Sequence, residues 1–227
     1  MKVSEIFYSI QGEGALAGVP SVFVRLSGCN LRCVWCDTPY TSWNPEGQEK
    51  SLDAILSEVR GHASTHVVVT GGEPMIAPQI VELTRELKRL DFHITIETAG
   101  TVYAPVTCDL MSVSPKLANS IPFEREDGRW AAQHERLRYQ PEILRRLMRE
   151  YEYQLKFVVS GPADLGEIEK ILMETGAERG CVALMAEGTS PEAIRERASW
   201  IAEICKREGF RYSPRLHVDL WGDERGR

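Results

Sequence analysis

The sequence predicts a parallel α/β fold, and three observations carry that prediction. Short runs rich in β-branched and aromatic residues alternate with longer runs whose apolar residues recur every three or four positions. No internal repeat of fixed period is present, and no apolar stretch reaches the length of a membrane span. A chain of 227 residues suits one ordinary domain with a sizeable core, here residues 1–227. Repeated strand–helix order makes neighbouring strands parallel and gathers loops at their C-terminal ends, in an open sheet or an incomplete (β/α) barrel.

Taken in order, strands are predicted at Val22 to Leu26, His66 to Thr70, His93 to Thr98, Leu110 to Ser114, Gln154 to Val159, Cys181 to Met185 and Leu216 to Trp221. The first helix starts after Ser51, whose hydroxyl can cap it, and carries Leu52, Ile55, Leu56 and Val59 on one face. Ile80, Leu83, Leu87 and Leu90 define a second helix, Leu165, Ile168 and Leu172 a later one. Ile194, Ile201 and Cys205 define the last, with Pro191 at its start. Val102 to Cys108, between the third and fourth strands, holds Pro105 and is too short for a crossover helix. Residues 116–140 are polar, contain Glu124 to Gly128 and lack a clear period, so they read as a mobile surface insertion.

The formal net charge of -6 supplies no basic footprint for a nucleic-acid backbone, which argues against nucleic acid as a direct partner. Arg145 and Arg146 are offset by Glu142 and Glu150, as on a solvated helix face. Met1 to Ser9 has no basic flank leading into an apolar core, so a cytoplasmic protein with no membrane partner is expected. In that reducing compartment clustered cysteines serve metals more often than disulfides. Cys108, Cys181 and Cys205 lie in or beside apolar runs and read as small core residues.

The other three cysteines, Cys29, Cys33 and Cys36, are spaced Cys-x3-Cys-x2-Cys between Gly28 and Tyr40. Thiolates are soft ligands that select zinc, cuprous copper or iron–sulfur clusters. Structural zinc requires four protein ligands, and His62, His66 and Cys108 stand at no customary zinc-ribbon offset. A four-iron cluster on three cysteines leaves one iron open to a small molecule. With the aromatic Trp35 before the last cysteine, the spacing resembles that of the radical S-adenosylmethionine (SAM) superfamily.

A second motif follows in the matching order. The strand His66 to Thr70 runs into Gly71, Gly72, Glu73 and Pro74, where glycine lets backbone approach a ligand closely. This run resembles the superfamily's Gly-Gly-Glu-Pro segment, which implies that Gly72 and Glu73 hold the methionyl amino group of SAM. Ser114, Pro115 and Lys116, and more loosely Leu184, Met185, Ala186 and Glu187, resemble further SAM-binding segments. Trp35, Cys36 and Asp37 complete the cofactor contacts that the resemblance implies. Ile96 to Gly100 departs from the superfamily's frequent pattern at Ala99, and no contact is assigned there.

The stretches Tyr8 to Gly14, Gly18 to Leu26, Cys36 to Thr38 and Ser213 to Gly222 are together similar to the 7-carboxy-7-deazaguanine synthase family, nearly end to end. The resemblance implies an incomplete (β/α) barrel of radical SAM type, with a 4Fe-4S cluster on Cys29, Cys33 and Cys36, SAM and Mg2+ as cofactors. It further implies conversion of 6-carboxy-5,6,7,8-tetrahydropterin to 7-carboxy-7-deazaguanine with loss of ammonia, in queuosine or other deazapurine biosynthesis. A small carboxypterin substrate, an electron donor such as flavodoxin or ferredoxin, and a homodimer are the implied partners.

Substrate contacts implied by the same resemblance are Ile10, Gln11, Gly12, Glu13, Arg25, Thr70 and His217. Arg25 alternates with Val24 and Leu26, so a guanidinium faces one side of an apolar strand and needs a partner. A bidentate substrate carboxylate or an internal glutamate satisfies it equally well. Thr38 offers the hard oxygen that magnesium takes, although Asp37, Thr38 and Pro39 alone make an ordinary turn. Gln11, Gly12 and Glu13 can accept from a pterin's paired N–H donors. His217 shares a predicted strand face with Arg215 and Asp219, where a histidine is more often structural.

Two other readings use the same thiolates. A glycyl-radical activating enzyme shares the spacing but needs a large protein substrate, whereas Arg25 with Gln11 to Gly14 suits a small carboxylated heterocycle. A non-catalytic zinc-binding interaction domain would hold one zinc rather than four irons after anaerobic reconstitution.

Overall fold

Val22, Val24, Val67, Val69, Ile94 and Ile96 are shielded from solvent in strands that lie side by side and parallel. At this two-residue spacing they share one face, the side packed into the apolar core, while Phe23, Arg25, Thr70 and Glu97 alternate with them onto the other. A computed structural model describes residues 1–227. Its strands are β1 (Lys2–Ile10), β2 (Pro20–Leu26), β3 (Gln48–Glu49), β4 (His66–Gly71), β5 (His93–Thr98), β6 (Leu110–Val113), β7 (Tyr153–Val159), β8 (Val182–Ala186) and β9 (Arg211–Ser213). The helices are α1 (Pro39–Ser42), α2 (Leu52–Arg60), α3 (Ile80–Arg89), α4 (Ala131–Arg138), α5 (Pro141–Glu150), α6 (Asp164–Thr175), α7 (Pro191–Glu208) and α8 (Leu216–Trp221). No helix is long and apolar enough to cross a membrane.

The strands form one sheet in the order β3-β1-β2-β4-β5-β6-β7-β8-β9. From β2 to β9 neighbouring strands are parallel, while β1 is antiparallel to both β2 and β3. The outermost strands β3 and β9 do not pair with each other, so the barrel is incomplete. The helices cover it as their patterns dictate: α3 buries Ile80, Leu83 and Leu87. Ser51 caps α2 by accepting from the Ala54 N–H at 3.2 Å, and Ser190 caps α7 ahead of Pro191.

The helix missing between β5 and β6 is replaced by packed chain. Ala104 and Val106 are buried against the core, and Asp109 accepts from the Ile94 N–H at 2.8 Å, which ties the connection to the sheet. The parallel pair therefore keeps its cover without a crossover helix.

Three expectations are corrected. Leu216 to Trp221 is helix α8, not a strand; a six-residue alternation is too short to separate the two periods, and of its apolar residues Val218 is buried while Leu220 is exposed. His217 and Arg215 therefore do not share a strand face. The true edge strand is β9, three residues long. Residues 116–140 are not a mere surface insertion: Leu117, Ser120, Ile121, His134 and Arg138 are buried, and α4 lies within the segment. Only the stretch around Phe123 to Arg129 is largely exposed.

Candidate active site

The C-terminal ends of the central strands open into a cavity of about 400 Å³, a size that suits a small-molecule ligand. Cys29, Cys33 and Cys36 line one wall. Their loop leaves β2 and is pinned on all sides: Gly28 N–H donates to Thr41 O at 2.8 Å, Val34 N–H to Ser120 O at 2.9 Å, and Trp43 Nε1 to Cys33 O at 2.9 Å. Trp35 Nε1 donates to Asn119 O at 3.0 Å. The segment read as an insertion is thus the outer support of the cysteine loop.

His134 carries part of that support. Its Nδ1 accepts from Arg32 N–H at 3.1 Å, and its Nε2 lies 2.9 Å from Ser120 Oγ, which donates to Leu117 O at 2.6 Å. Ser120 has one proton, already committed, so Nε2 must be the donor and the ring is neutral. Burial, then Arg138 and Lys116, pull its pKa down to about 4.

Burial pushes the Cys29 thiol up to about 12, and Cys33 and Cys36 upward too. Such thiols become thiolates only beside positive charge. Lys116 opposes the shift at Cys29 and Cys33, with its Nζ anchored on Ser114 O at 2.6 Å and Ser114 Oγ at 2.9 Å. No three His, Cys, Asp or Glu side chains are grouped to hold a single metal ion. Three soft sulfurs from one loop on a cavity wall have the chemistry to hold an iron–sulfur cluster.

Behind the thiols, Gly71 and Gly72 are glycine because of backbone crowding. A Cβ at Gly71 would lie 2.0 Å from Leu26 O, and one at Gly72 2.2 Å from Gly28 O. Glu73 is 1% exposed and turned inward: it accepts from Met75 N–H at 3.0 Å, Thr98 Oγ1 at 2.7 Å and Ala99 N–H at 2.8 Å.

The facing wall is charged. Glu13 is ion-paired to Lys156 and, at 3.1 Å, to Arg215. Burial alone would raise the Glu13 carboxyl, but Lys156 and Arg215 outweigh it and hold Glu13 below the usual carboxylate range. Arg215 also donates to Gly188 O and to Asp37 at 2.6 Å, so it links the turn at Glu13 to the residue after Cys36. Glu97 accepts from Gln11 Nε2 at 3.1 Å and Thr70 Oγ1 at 2.9 Å. His217 closes this wall with Nε2 3.9 Å from Glu13; burial lowers its pKa. Gly12 is needed there, since a Cβ would sit 2.0 Å from His217 Nδ1.

Between the walls lies Arg25. Register places Glu5 of β1 directly opposite it, and Arg25 Nε donates to Glu5 Oε1 at 2.7 Å. The internal glutamate thus engages one nitrogen, leaving the terminal nitrogens unpaired within the chain at the cavity wall. Thr38 lines the same cavity, its carbonyl accepting from Thr41 Oγ1 at 2.9 Å and its own Oγ1 lying 3.3 Å from that hydroxyl.

Residues 23–120 match the sequence model of the radical SAM superfamily. Across 98% of this chain and 91% of its own length, the 7-carboxy-7-deazaguanine synthase of Halobacterium salinarum is 46% identical over 234 residues. The chain belongs to the 7-carboxy-7-deazaguanine synthase family. The synthase of Rhodopirellula baltica is 41% identical over 99% of this chain and 88% of its own. The crystal structure of QueE from Escherichia coli superposes with a TM-score of 0.71 at 27% identity, covering 95% of this chain and 94% of that one.

Within this family member, most of the residues expected from sequence converge. Ile10, Gln11, Gly12, Glu13, Arg25, Thr38, Thr70 and His217 share the cavity with Trp35, Asp37, Gly72, Ser114, Lys116 and Met185. Others stay outside it: Glu73 and Pro115 are buried, Leu184 and Ala186 belong to the apolar core, and Glu187 pairs with Arg197 at 3.4 Å. Sequence reasoning gave no role to Glu5, Glu97, His134, Lys156 or Arg215. Lys156 carried a usable signal, an ammonium in the otherwise apolar stretch Leu155 to Val159. His134 carried none.

Proposed function

We propose that the cavity converts 6-carboxy-5,6,7,8-tetrahydropterin to 7-carboxy-7-deazaguanine with loss of ammonia, in deazapurine and queuosine biosynthesis. The observation that carries this reading is the 46% identity to a synthase of that name across 98% of the chain. Cys29, Cys33 and Cys36 would hold a 4Fe-4S cluster, with SAM reached by Trp35, Cys36, Asp37, Gly72, Ser114, Lys116 and Met185. Leu184, Ala186, Glu187 and Pro115 would act through backbone, and Glu73 by shaping the turn. Bound together, the cluster and SAM supply the radical removal of hydrogen from the pterin's C6.

The chain's own part is to bind, orient and shield. Arg25 holds the substrate carboxylate through its unpaired nitrogens, in the bidentate manner that a guanidinium fork allows. Glu5 fixes the plane of that fork from behind. Phe7 and Phe23 stack with ring centroids 4.9 Å apart and keep this end apolar. Gln11, Gly12, Glu13, Thr70 and His217 meet the polar ring edge, and Ile10 its flank. Thr38 would offer one hard oxygen to Mg2+, which when bound would supply positive charge near the substrate carboxylate. Glu13, held ionised, keeps an acceptor toward the pterin throughout.

An external flavodoxin or ferredoxin would reduce the cluster, and a cytoplasmic homodimer forming one unit from residues 1–227 is the working assembly we infer. The test is direct. Anaerobically reconstituted protein given SAM, reductant, Mg2+ and the carboxypterin should yield the deazapurine and ammonia in equal amounts. A protein with four irons per chain and no deazapurine would refute the assignment.

A further inference from the structure

On β7, Gln154 and Lys156 turn to the cavity side while Leu155 and Phe157 enter the apolar core. Lys156 is 5% exposed. An ammonium so placed is costly, and exchanging a buried ion pair for apolar residues is often neutral or stabilising. Stability alone therefore does not explain a lysine here.

Its partners do. Lys156 Nζ is ion-paired to Glu13 Oε2 and stands 3.9 Å from Glu97 Oε1. Two carboxylates on one half-buried wall repel, and Arg215 pairs only with Glu13, so without Lys156 their charges are incompletely balanced and uptake of a proton is favoured. Gln11 and Thr70 donate to Glu97, so two residues assigned to the substrate converge on a carboxylate pair whose other member, Glu13, is a third.

We propose that Lys156 is a positioning residue for the substrate: its ammonium holds Glu13 and Glu97 side by side as acceptors for the N–H edge of the pterin. This rests on the carboxypterin reading above. The other charged or titratable groups facing the pair are Arg215, Asp37 and His217. Burial alone would lower the Lys156 pKa, but Glu13 and Glu97 outweigh it and raise it, so Lys156 stays charged and is no proton donor.

Lys156→Gln keeps a hydrogen-bond donor and removes the charge, whereas Lys156→Arg keeps the charge. In the reconstituted full-length protein, K156Q should retain iron and SAM affinity. Its KM for carboxypterin should rise at least about tenfold, with kcat changed less than about threefold, as expected when binding is lost and chemistry spared. Its acid limb of kcat/KM should move to higher pH, because Glu13 loses the stronger of the two cations that depress it and keeps only Arg215. K156R should recover most of both. Wild-type KM and acid limb in K156Q, or a fall in kcat at unchanged KM, would overturn the role. Loss of iron or of folding in both variants would assign Lys156 to stability and overturn it as well. Wild-type protein that turns over no carboxypterin would sink the underlying reading and the proposal together; normal wild-type turnover beside an indifferent K156Q would sink the proposal alone.

Discussion

The two walls of the cavity are built on opposite electrostatic plans. On the thiol wall, burial dominates: Cys29, Cys33 and Cys36 are all held protonated in the bare chain, and Lys116 only moderates this. On the charged wall, ion pairing dominates: Glu13 is as deeply placed, yet Lys156 and Arg215 keep it ionised. The difference teaches which wall is complete by itself. Raised thiols need an incoming cation to become ligands, so that wall finishes only with metal. The charged wall has its counterions already and is set before any ligand arrives.

The most severe break of that contrast is at the thiols. Cys33→Ala should abolish turnover and reduce iron after reconstitution well below four per chain, read by iron and sulfide analysis and by loss of the broad visible absorption. It should leave carboxypterin affinity within about threefold, because additivity holds for groups that share no partner. Next in size is Arg25→Ala, which should lower kcat/KM by about a thousandfold or more through loss of a charge-assisted bidentate pair. Iron content and SAM affinity should stay at wild-type values, and an iron-free Arg25→Ala protein would contradict the role.

Arg215 sits where the walls meet and sharpens the comparison. Arg215→Met leaves Glu13 and Asp37 short of a cation, and breaking one side of a buried pair costs about 3–5 kcal/mol, which calorimetry would read as a lowered Tm. Lysine should not rescue it, since three separate acceptors require a guanidinium fork. An unchanged melting temperature in Arg215→Met would show that the two walls are not coupled through this residue.

What could be read from sequence follows the same division. Strands β2, β4, β5, β6, β7 and β8 were legible because β-branched runs between turn signals have few alternatives. The thiol wall was legible because its chemistry is a local spacing within one loop. The charged wall was not: Glu13, Glu97, Lys156 and Arg215 come from four distant parts of the chain, and only topology brings them together. Gln11 and Glu13 were reached through family resemblance, and Arg215 was placed on a strand that does not exist. The 116–140 segment failed for a related reason. Its helix α4 buries His134 and Arg138, polar residues that no apolar period would reveal.

That segment supplies the smallest of the expected effects and separates support of the thiol wall from the wall itself. His134 is neutral in the fold with its pKa near 4, against about 6.5 when unfolded. Between these values the unfolded chain binds the extra proton, so stability rises with pH across the window and is lost as pH falls from about 6.5 toward 4. Protonation at Nδ1 would also remove the acceptor for Arg32 N–H, loosening the loop between Cys29 and Cys33. Acidification toward pH 5 should therefore speed cluster loss several-fold in wild-type protein, followed as bleaching of the visible absorption under anaerobic conditions. His134→Gln, which cannot titrate, should lose most of that pH dependence while bleaching somewhat faster at pH 7.5. Glu13 on the charged wall should not respond in that interval, because it is depressed below the usual carboxylate range and remains ionised. If SAM-free, reconstituted His134→Gln bleaches with the wild-type pH dependence, the proton responsible binds elsewhere, and the 116–140 segment supports the cysteine loop without sensing pH.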